Sequence, residues 1–293
     1  MPSTPDLSTV TAIDMHVHCE VSQAGEPALP PRLQDAARQF FGGDDGPLPT
    51  LDETAAYYRA RDLVAVIFTI DLDIAYGHAG VSNEEIAEGA ARHPDVLLPF
   101  ASIDPARGAA GIAAARRLVA DHGVRGFKFH PNLQGFAPND RAAYPLYEAI
   151  TELGAPALFH SGQSGIGAGL PGGGGIRLRY SNPMLLDDVA ADFPGLQIII
   201  AHPSFPWQDE ALAVAVHKPN VWLDLSGWSP KYFPPQLVRF ADTMLRDRVL
   251  FGSDHPFITP DRWLRDFDQI DVREEVRPRI LKHNAARLLG LTS

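Results

Sequence analysis

Residues 11–20 read TAIDMHVHCE. A short apolar run there ends in two histidines two positions apart, His16 and His18. The run is too short for a stable lone helix, and its residues suit a strand. Side chains alternate across a strand, so His16 and His18 share one face while Ile13, Met15 and Val17 take the other. Either the pair is ordinary polarity at a strand end, or it is half of a metal site. The second reading needs further ligands at the ends of other strands.

The chain does repeat the unit. Apolar runs rich in β-branched or aromatic residues recur at 63–70 (LVAVIFTI), 95–102 (DVLLPFAS), 124–130 (VRGFKFH), 155–160 (APALFH), 196–202 (LQIIIAH), 220–226 (NVWLDLS) and 248–254 (RVLFGSD). Helical candidates alternate with them, at 83–93, 107–123, 140–154 and 234–247. Asn139 and Gly154 bracket one of these as cap and terminator. A last helix is expected over 272–291, bent or divided by Pro278. Eight strands, each followed by a helix, predict a distorted (β/α)8 TIM barrel, one domain spanning 1–293. An open doubly wound sheet is the alternative. Two long connections, 19–49 and the glycine-rich 161–180, follow strands one and five. Both lie at C-terminal strand ends, where a barrel builds its active site.

The 293 residues are 45% hydrophobic, enough for a large core. Twenty-five basic against 36 acidic residues leave a charge of −11, which argues against a nucleic-acid or membrane-surface binder. An anionic small substrate stays open, because a local patch can oppose the global sign. Cys19 is the one cysteine, so no internal disulfide forms and a reducing compartment is expected. The start, MPSTPDLSTV, has neither a basic region nor an apolar one of the secretory kind. No apolar run reaches the roughly 18 residues that span a bilayer. These features predict a soluble cytoplasmic protein with no nucleic-acid or membrane partner; a small-molecule substrate is the expected partner, and a homo-oligomer is left open.

The histidines sit at telling addresses. His130, His160 and His202 end strands four, five and six, and Asp254 ends the eighth, followed by His255. Lys128 and His130 share the inward face opposite Phe127 and Phe129. Catalytic zinc takes imidazole nitrogen and carboxylate oxygen and keeps one position open for water. His16 and His18 cannot complete such a site alone, and His160 and Asp254 can supply the rest. Other motifs are weaker. GAGLPG (167–172) satisfies G-x-G-x-x-G, yet Pro171 and the glycines after it forbid the helix that a pyrophosphate needs. The glycine-rich loop reads as a flexible loop, a mobile lid, or backbone that approaches a ligand closely. LSGWSPKYFPPQ (225–236) places Trp228, Tyr232 and Phe233 beside Lys231, either as a satellite cluster or as a substrate wall. Arg177 and Arg179 either meet an anionic group or are solvated.

The pieces DMHVH, GFKFHP, FHSG, AHPS, LFGSDHP and the terminal NAARLLGL, in that order, resemble the amidohydrolase superfamily, specifically its amidohydrolase-2 branch. The resemblance implies a metal-dependent hydrolase with one divalent ion, zinc first and manganese second. It implies His16, His18, His160 and Asp254 as ligands and His202 as the catalytic histidine near the activated water. Asp254 then also takes a proton from that water. In some branches a lysine in the place of Lys128 is carboxylated and bridges two metals; this branch implies one metal and a free amine. Lys128, His130, Arg177, Trp228 and His255 form the expected substrate-facing set. FHSGQSGIGAGLPGGGGIRLRYSNPMLLDDVAADFP and DLSGWSPKYFP are similar to a subgroup of bacterial aromatic-acid catabolism. That subgroup is linked to hydrolysis of 4-hydroxyphenyl-β-ketoacyl-CoA. The acidic chain, without a basic stripe for CoA, counts against that substrate. The alternative in the same branch is a non-oxidative decarboxylase of an aromatic or muconate-type acid. A binding protein with a structural metal is the third reading; the cysteine-poor, open ligand set counts against it.

Overall fold

All eight apolar runs form parallel strands: β1 (Ala12–His18), β2 (Leu63–Phe68), β3 (Leu97–Pro99), β4 (Phe127–Phe129), β5 (Ala157–His160), β6 (Ile198–Ala201), β7 (Val221–Asp224) and β8 (Val249–Leu250). The computed structural model describes residues 5–42 and 46–291. The expectation on the first four residues therefore lies outside the described residues, as does part of the 19–49 connection. Every residue of the eight strands is buried. A parallel sheet covered on both faces requires this, which is why the runs read as continuous apolar stretches such as IIIA in β6.

Strands β1–β3 form one ladder and β4–β8 another. Two single bridges close the barrel, Ala101 with Phe127 and Val17 with His255. Backbone bonds reinforce them, from Lys128 N to Ala101 O (2.7 Å) and from His18 N to His255 O (2.8 Å). The seams are thin, so the barrel is distorted, as expected. No helix among the described residues is long and apolar enough to cross a membrane.

The core divides by strand parity. Val64, Leu158, Ile199, Trp222 and Leu250 pack together inside the barrel. Ala65, Phe129, Phe159, Ile200 and Leu223 pack outward under the helices. Ala285 and Ala286, with Leu288 and Leu289 beside them, join the inner cluster and close the base. Their helix is not bent at Pro278 but begins there: Arg279–His283, wound with π spacing, runs on into Asn284–Leu288. Proline at a helix start forfeits no hydrogen bond, which explains the difference.

Three further expectations are corrected. Ile13 and Met15 do not share the outer face with Val17; both pack in the inner cluster. Asp14 pairs with Ala65 and Val17 with Ile67, so Met15 and His16 together oppose Val66 alone. This bulge resets the alternation and keeps His16 and His18 on the inner side. The 19–49 connection contains a helix, Pro31–Phe41. The cap near 140 is Asp140, whose side chain accepts from Ala142 N, whereas Asn139 bonds Asp188.

Candidate active site

The C-terminal ends of the strands gather His16, His18, Lys128, His130, His160, His202, Asp254 and one residue the sequence reading passed over, Asp224. β1 reaches the site through a clamp. The buried Asp14 carboxylate accepts from the backbone N–H of His16 (3.1 Å) and of Ser253 (2.9 Å), and from the Tyr58 hydroxyl (2.7 Å). Burial pushes this carboxyl up to about 6, against the pull of those bonds. The clamp ties the bulge of β1 to the loop after β8, and so sets His16 against Asp254.

A hydrogen-bonded chain orders the rings. The Ser226 hydroxyl donates to Asp224 Oδ2 (2.7 Å) and lies 2.9 Å from His202 Nδ1. Asp224 Oδ2 also meets His16 Nδ1 at 2.6 Å. Both rings therefore carry the proton on Nδ1 and turn a lone pair at Nε2 into the site. His202 Nε2 lies 3.0 Å from His160 Nδ1, which donates to it. His160 Nε2 is then a lone pair, buried and without a hydrogen-bond partner. Asp254 Oδ1 stands 3.3 Å from His16 Nε2 and 3.1 Å from His18 Nε2.

These groups fit a divalent ion. His16, His202 and Asp254 each offer a ligand atom within 4.8 Å of the others. Neutral imidazoles with a carboxylate suit zinc or manganese. Burial, then the Lys128 charge, pushes the His16 ring well below the ordinary histidine range. Burial pushes His202 down to about 4, although Asp254 opposes it. Burial acts to raise the Asp254 carboxyl, but the His18 bond and nearby charges hold it below its ordinary value. The His16 and His202 rings are thus held neutral and the Asp254 carboxylate ionised, the states that bind metal. His202 belongs to the tightest trio, so its geometry suits a ligand as well as a base.

Lys128 is fully buried, with Nζ 2.9 Å from His16 Nε2 and above the Phe68 ring. Burial drives its amine downward and the Asp224 carboxyl upward. His130 stacks on His160 at 3.9 Å between centroids and leaves Nδ1 unpartnered. His255 is buried against the Tyr57 ring at 5.2 Å, with both nitrogens unpartnered. It does not line the cavity.

Backbone geometry at the mouth is unusual. His202, Ser204 and Asp254 have φ of 68°, 63° and 77°, a region L-residues enter at a cost. At Gly227 (φ 74°) a Cβ would stand 2.5 Å from His202 Nδ1, so only glycine lets that ring sit where it does.

A cavity of about 620 Å³ opens over this floor. His160, His202 and Asp254 reach it from below. Trp228 lines it as expected, and Tyr232 does too, while Phe233 instead enters the core against Trp263. The sequence motif thus divides between wall and core. Arg177 is exposed and does not line the cavity; the cation that does is Arg262. The glycine-rich loop supplies backbone that approaches closely. A Cβ at Gly165 would lie 2.5 Å from Phe40, and Ile166, Leu170 and Ile176 pack with Leu33 and Ala37 of the Pro31–Phe41 helix.

The sequence reading missed Asp224, Ser226, Phe40, Phe41 and Arg262. Asp224 carried a usable signal: it shares the inward parity of Trp222 at a strand end. The two phenylalanines carried none, because their helix lies inside a connection taken for loop.

A family model described as Amidohydrolase matches residues 13–291. Among curated proteins, a 2-keto-4-carboxy-3-hexenedioate hydratase of Sphingobium sp. is 26% identical over 212 residues, 60% of this chain and 60% of its own length. Protein fluG of Emericella nidulans is 28% identical over 135 residues, 43% of this chain. The chain spans 60% and 14% of the length of these two relatives. An uncharacterized TIM-barrel protein of Bordetella bronchiseptica superposes with a TM-score of 0.76 at 23% identity, covering 95% of this chain and 98% of that one. A 2,6-dihydroxybenzoate decarboxylase bound to 2,6-dihydroxybenzoate gives 0.68 at 20%, covering 96% and 100%. A "probable 2-pyrone-4,6-dicarboxylic acid hydrolase" of Acinetobacter baumannii gives 0.63 at 16%, covering 96% and 100%. These structures share the barrel.

Proposed function

The chain belongs to the amidohydrolase family, and from that premise we propose that it is a metal-dependent hydrolase acting on a carbonyl group of an aromatic-catabolism substrate. The observation that carries the reading is the buried set of imidazoles and the Asp254 carboxylate flooring an aromatic-walled cavity. His16, His18, His160 and Asp254 would hold one ion, zinc in the first place and manganese in the second. Such an ion lowers the pKa of a bound water from about 15.7 to about 7 and polarises a carbonyl oxygen.

The chain's own groups do the rest. His202, neutral at pH 7, accepts a proton at Nε2 while Ser226 and Asp224 hold its Nδ1–H. Asp224 fixes the His16 tautomer in the same way, as carboxylates behind metal-binding histidines do. Lys128 keeps a free amine, 2.9 Å from His16 Nε2 beneath the cavity. For an aryl β-ketoacyl-CoA, water would add to the β-ketone, the Cα–Cβ bond would break, and an aryl carboxylic acid would form. The departing carbon would take the proton to give acetyl-CoA.

The second reading is a non-oxidative decarboxylase, in which the C–CO2 bond breaks and a proton takes its place on carbon. The likeness in shape to a dihydroxybenzoate decarboxylase supports it. Turnover in ¹⁸O-water, over β-ketoacyl thioesters and hydroxybenzoates, separates the two. Hydrolysis puts label into a carboxylic acid without CO2 above background. Unlabelled product with stoichiometric CO2 would establish the decarboxylase instead.

A further inference from the structure

Two groups of aromatic side chains line the cavity and form its walls. Phe41 stacks on Phe257 at 4.6 Å and meets Phe40 edge-on at 5.1 Å. In the second group, Phe205 and Trp228 stand 5.9 Å apart. The walls extend to solvent, with Phe40, Phe205 and Tyr232 48%, 43% and 59% exposed. A cavity of about 150 Å³ already accommodates benzene. At about 620 Å³, this one takes a ring and a substantial tail.

Arg262 stands at the rim. Among the described residues that line the cavity, it alone carries a fixed positive charge. The acids beside it in sequence are engaged elsewhere. Asp261 is held by Arg61 and by the Tyr57 hydroxyl, and Asp266 by Ser229 and Arg265. Lys231, over the Tyr232 ring at 4.9 Å, adds a second positive charge to the segment packed against the Arg262 helix. The rim is thus locally basic on a chain of charge −11. The one carboxylate lining the cavity, Asp254, is bound to histidine at the floor.

We propose that Arg262 is a specificity-determining residue: it selects substrates whose aromatic or apolar body, held between the two walls, ends in an anionic group at the rim. The anion is a carboxylate or a phosphate, the two groups that a guanidinium fork meets with paired hydrogen bonds. The inference rests on the cavity being the substrate site of the proposed enzyme and specifies the substrate class.

Calorimetry on the full, metal-loaded chain tests it with three matched probes: 4-phenylbutyramide, 4-phenylbutyrate and 3-phenylpropyl phosphate. Both anions should bind roughly tenfold tighter than the amide. Arg262→Gln should erase that preference while leaving amide affinity within about twofold, and Trp228→Ala should weaken all three. The order of the two anions tells a carboxylate-bearing from a phosphate-bearing substrate. An anion preference unchanged in Arg262→Gln overturns the proposal. So does a preference lost in wild type on chelation, which would place the anion on the metal. The ¹⁸O turnover is measured separately, so failure of the hydrolase reading leaves a distinct signature: no label in the product, with anion selection by Arg262 intact.

Discussion

The two ends of the same barrel obey different rules. At the base, Val64, Leu158, Ile199 and Leu250 are fully or almost fully buried and wholly apolar. At the mouth, a few residues along the same strands, Lys128, His160, Asp224 and Asp254 are buried too, yet polar. The mouth also holds the positive-φ residues His202, Ser204 and Asp254, and unpartnered nitrogens on His130, His160 and His255. Buried polar atoms without partners cost about 1–3 kcal/mol each. The base supplies the stability that lets the mouth keep them. One end is built for packing; the other holds buried polar groups with bonding capacity to spare.

The largest effect that should separate the ends is metal loss. His16→Ala and His160→Ala should purify without metal and without turnover, yet remain folded. Elemental analysis and circular dichroism check this, and full metal content in either variant would break the contrast. Next, His202→Asn should lower kcat by about 10²–10⁴ while keeping metal. A metal-free His202→Asn would instead make His202 a ligand, as its place in the tight trio with His16 and Asp254 allows.

The base should answer in stability. Leu158→Ala should cost about 2–5 kcal/mol in urea denaturation, with metal stoichiometry unchanged in the folded fraction. A cost as small as that of a surface substitution would show that the base is not the packed end.

The smallest effect concerns pH. Burial holds the His255 ring down to about 4, below the ordinary histidine value of about 6.5. Its folded form thus binds fewer protons than the unfolded one between those values. The stability this seat contributes is present above about pH 6.5 and is lost as pH falls toward 4. At 1.36 kcal/mol per unit, wild type should lose about 3 kcal/mol over that window that His255→Phe does not lose. Parallel stability curves for the two proteins would remove His255 from the account.

Much of this was legible in the sequence, for a local reason. A parallel strand buried on both faces must be a short apolar run, and β2 and β6 announce themselves so. Strand-end histidines follow from the same runs, and parity correctly places Lys128 and His130 opposite Phe127 and Phe129. The family motifs agree, and the family match over residues 13–291 bears them out. Parity failed at β1, because the bulge opposite Val66 depends on pairing with a strand about fifty residues away. Arg177 was expected to face the substrate, yet the arginine lining the cavity is Arg262, on a helix whose docking against residues 230–232 no local pattern encodes.

By itself, then, the sequence determined the eight strands, their order and the histidines at their ends, because burial and periodicity act within a few residues. Tertiary structure alone decided that Asp224 lies 2.6 Å from His16, 208 residues away, and that Ser226 joins it to His202. It alone brought Phe41 onto Phe257 to make a wall. Such contacts depend on barrel closure, on one bulge and on where helices dock. These are properties of many residues packing at once, and no segment carries them alone.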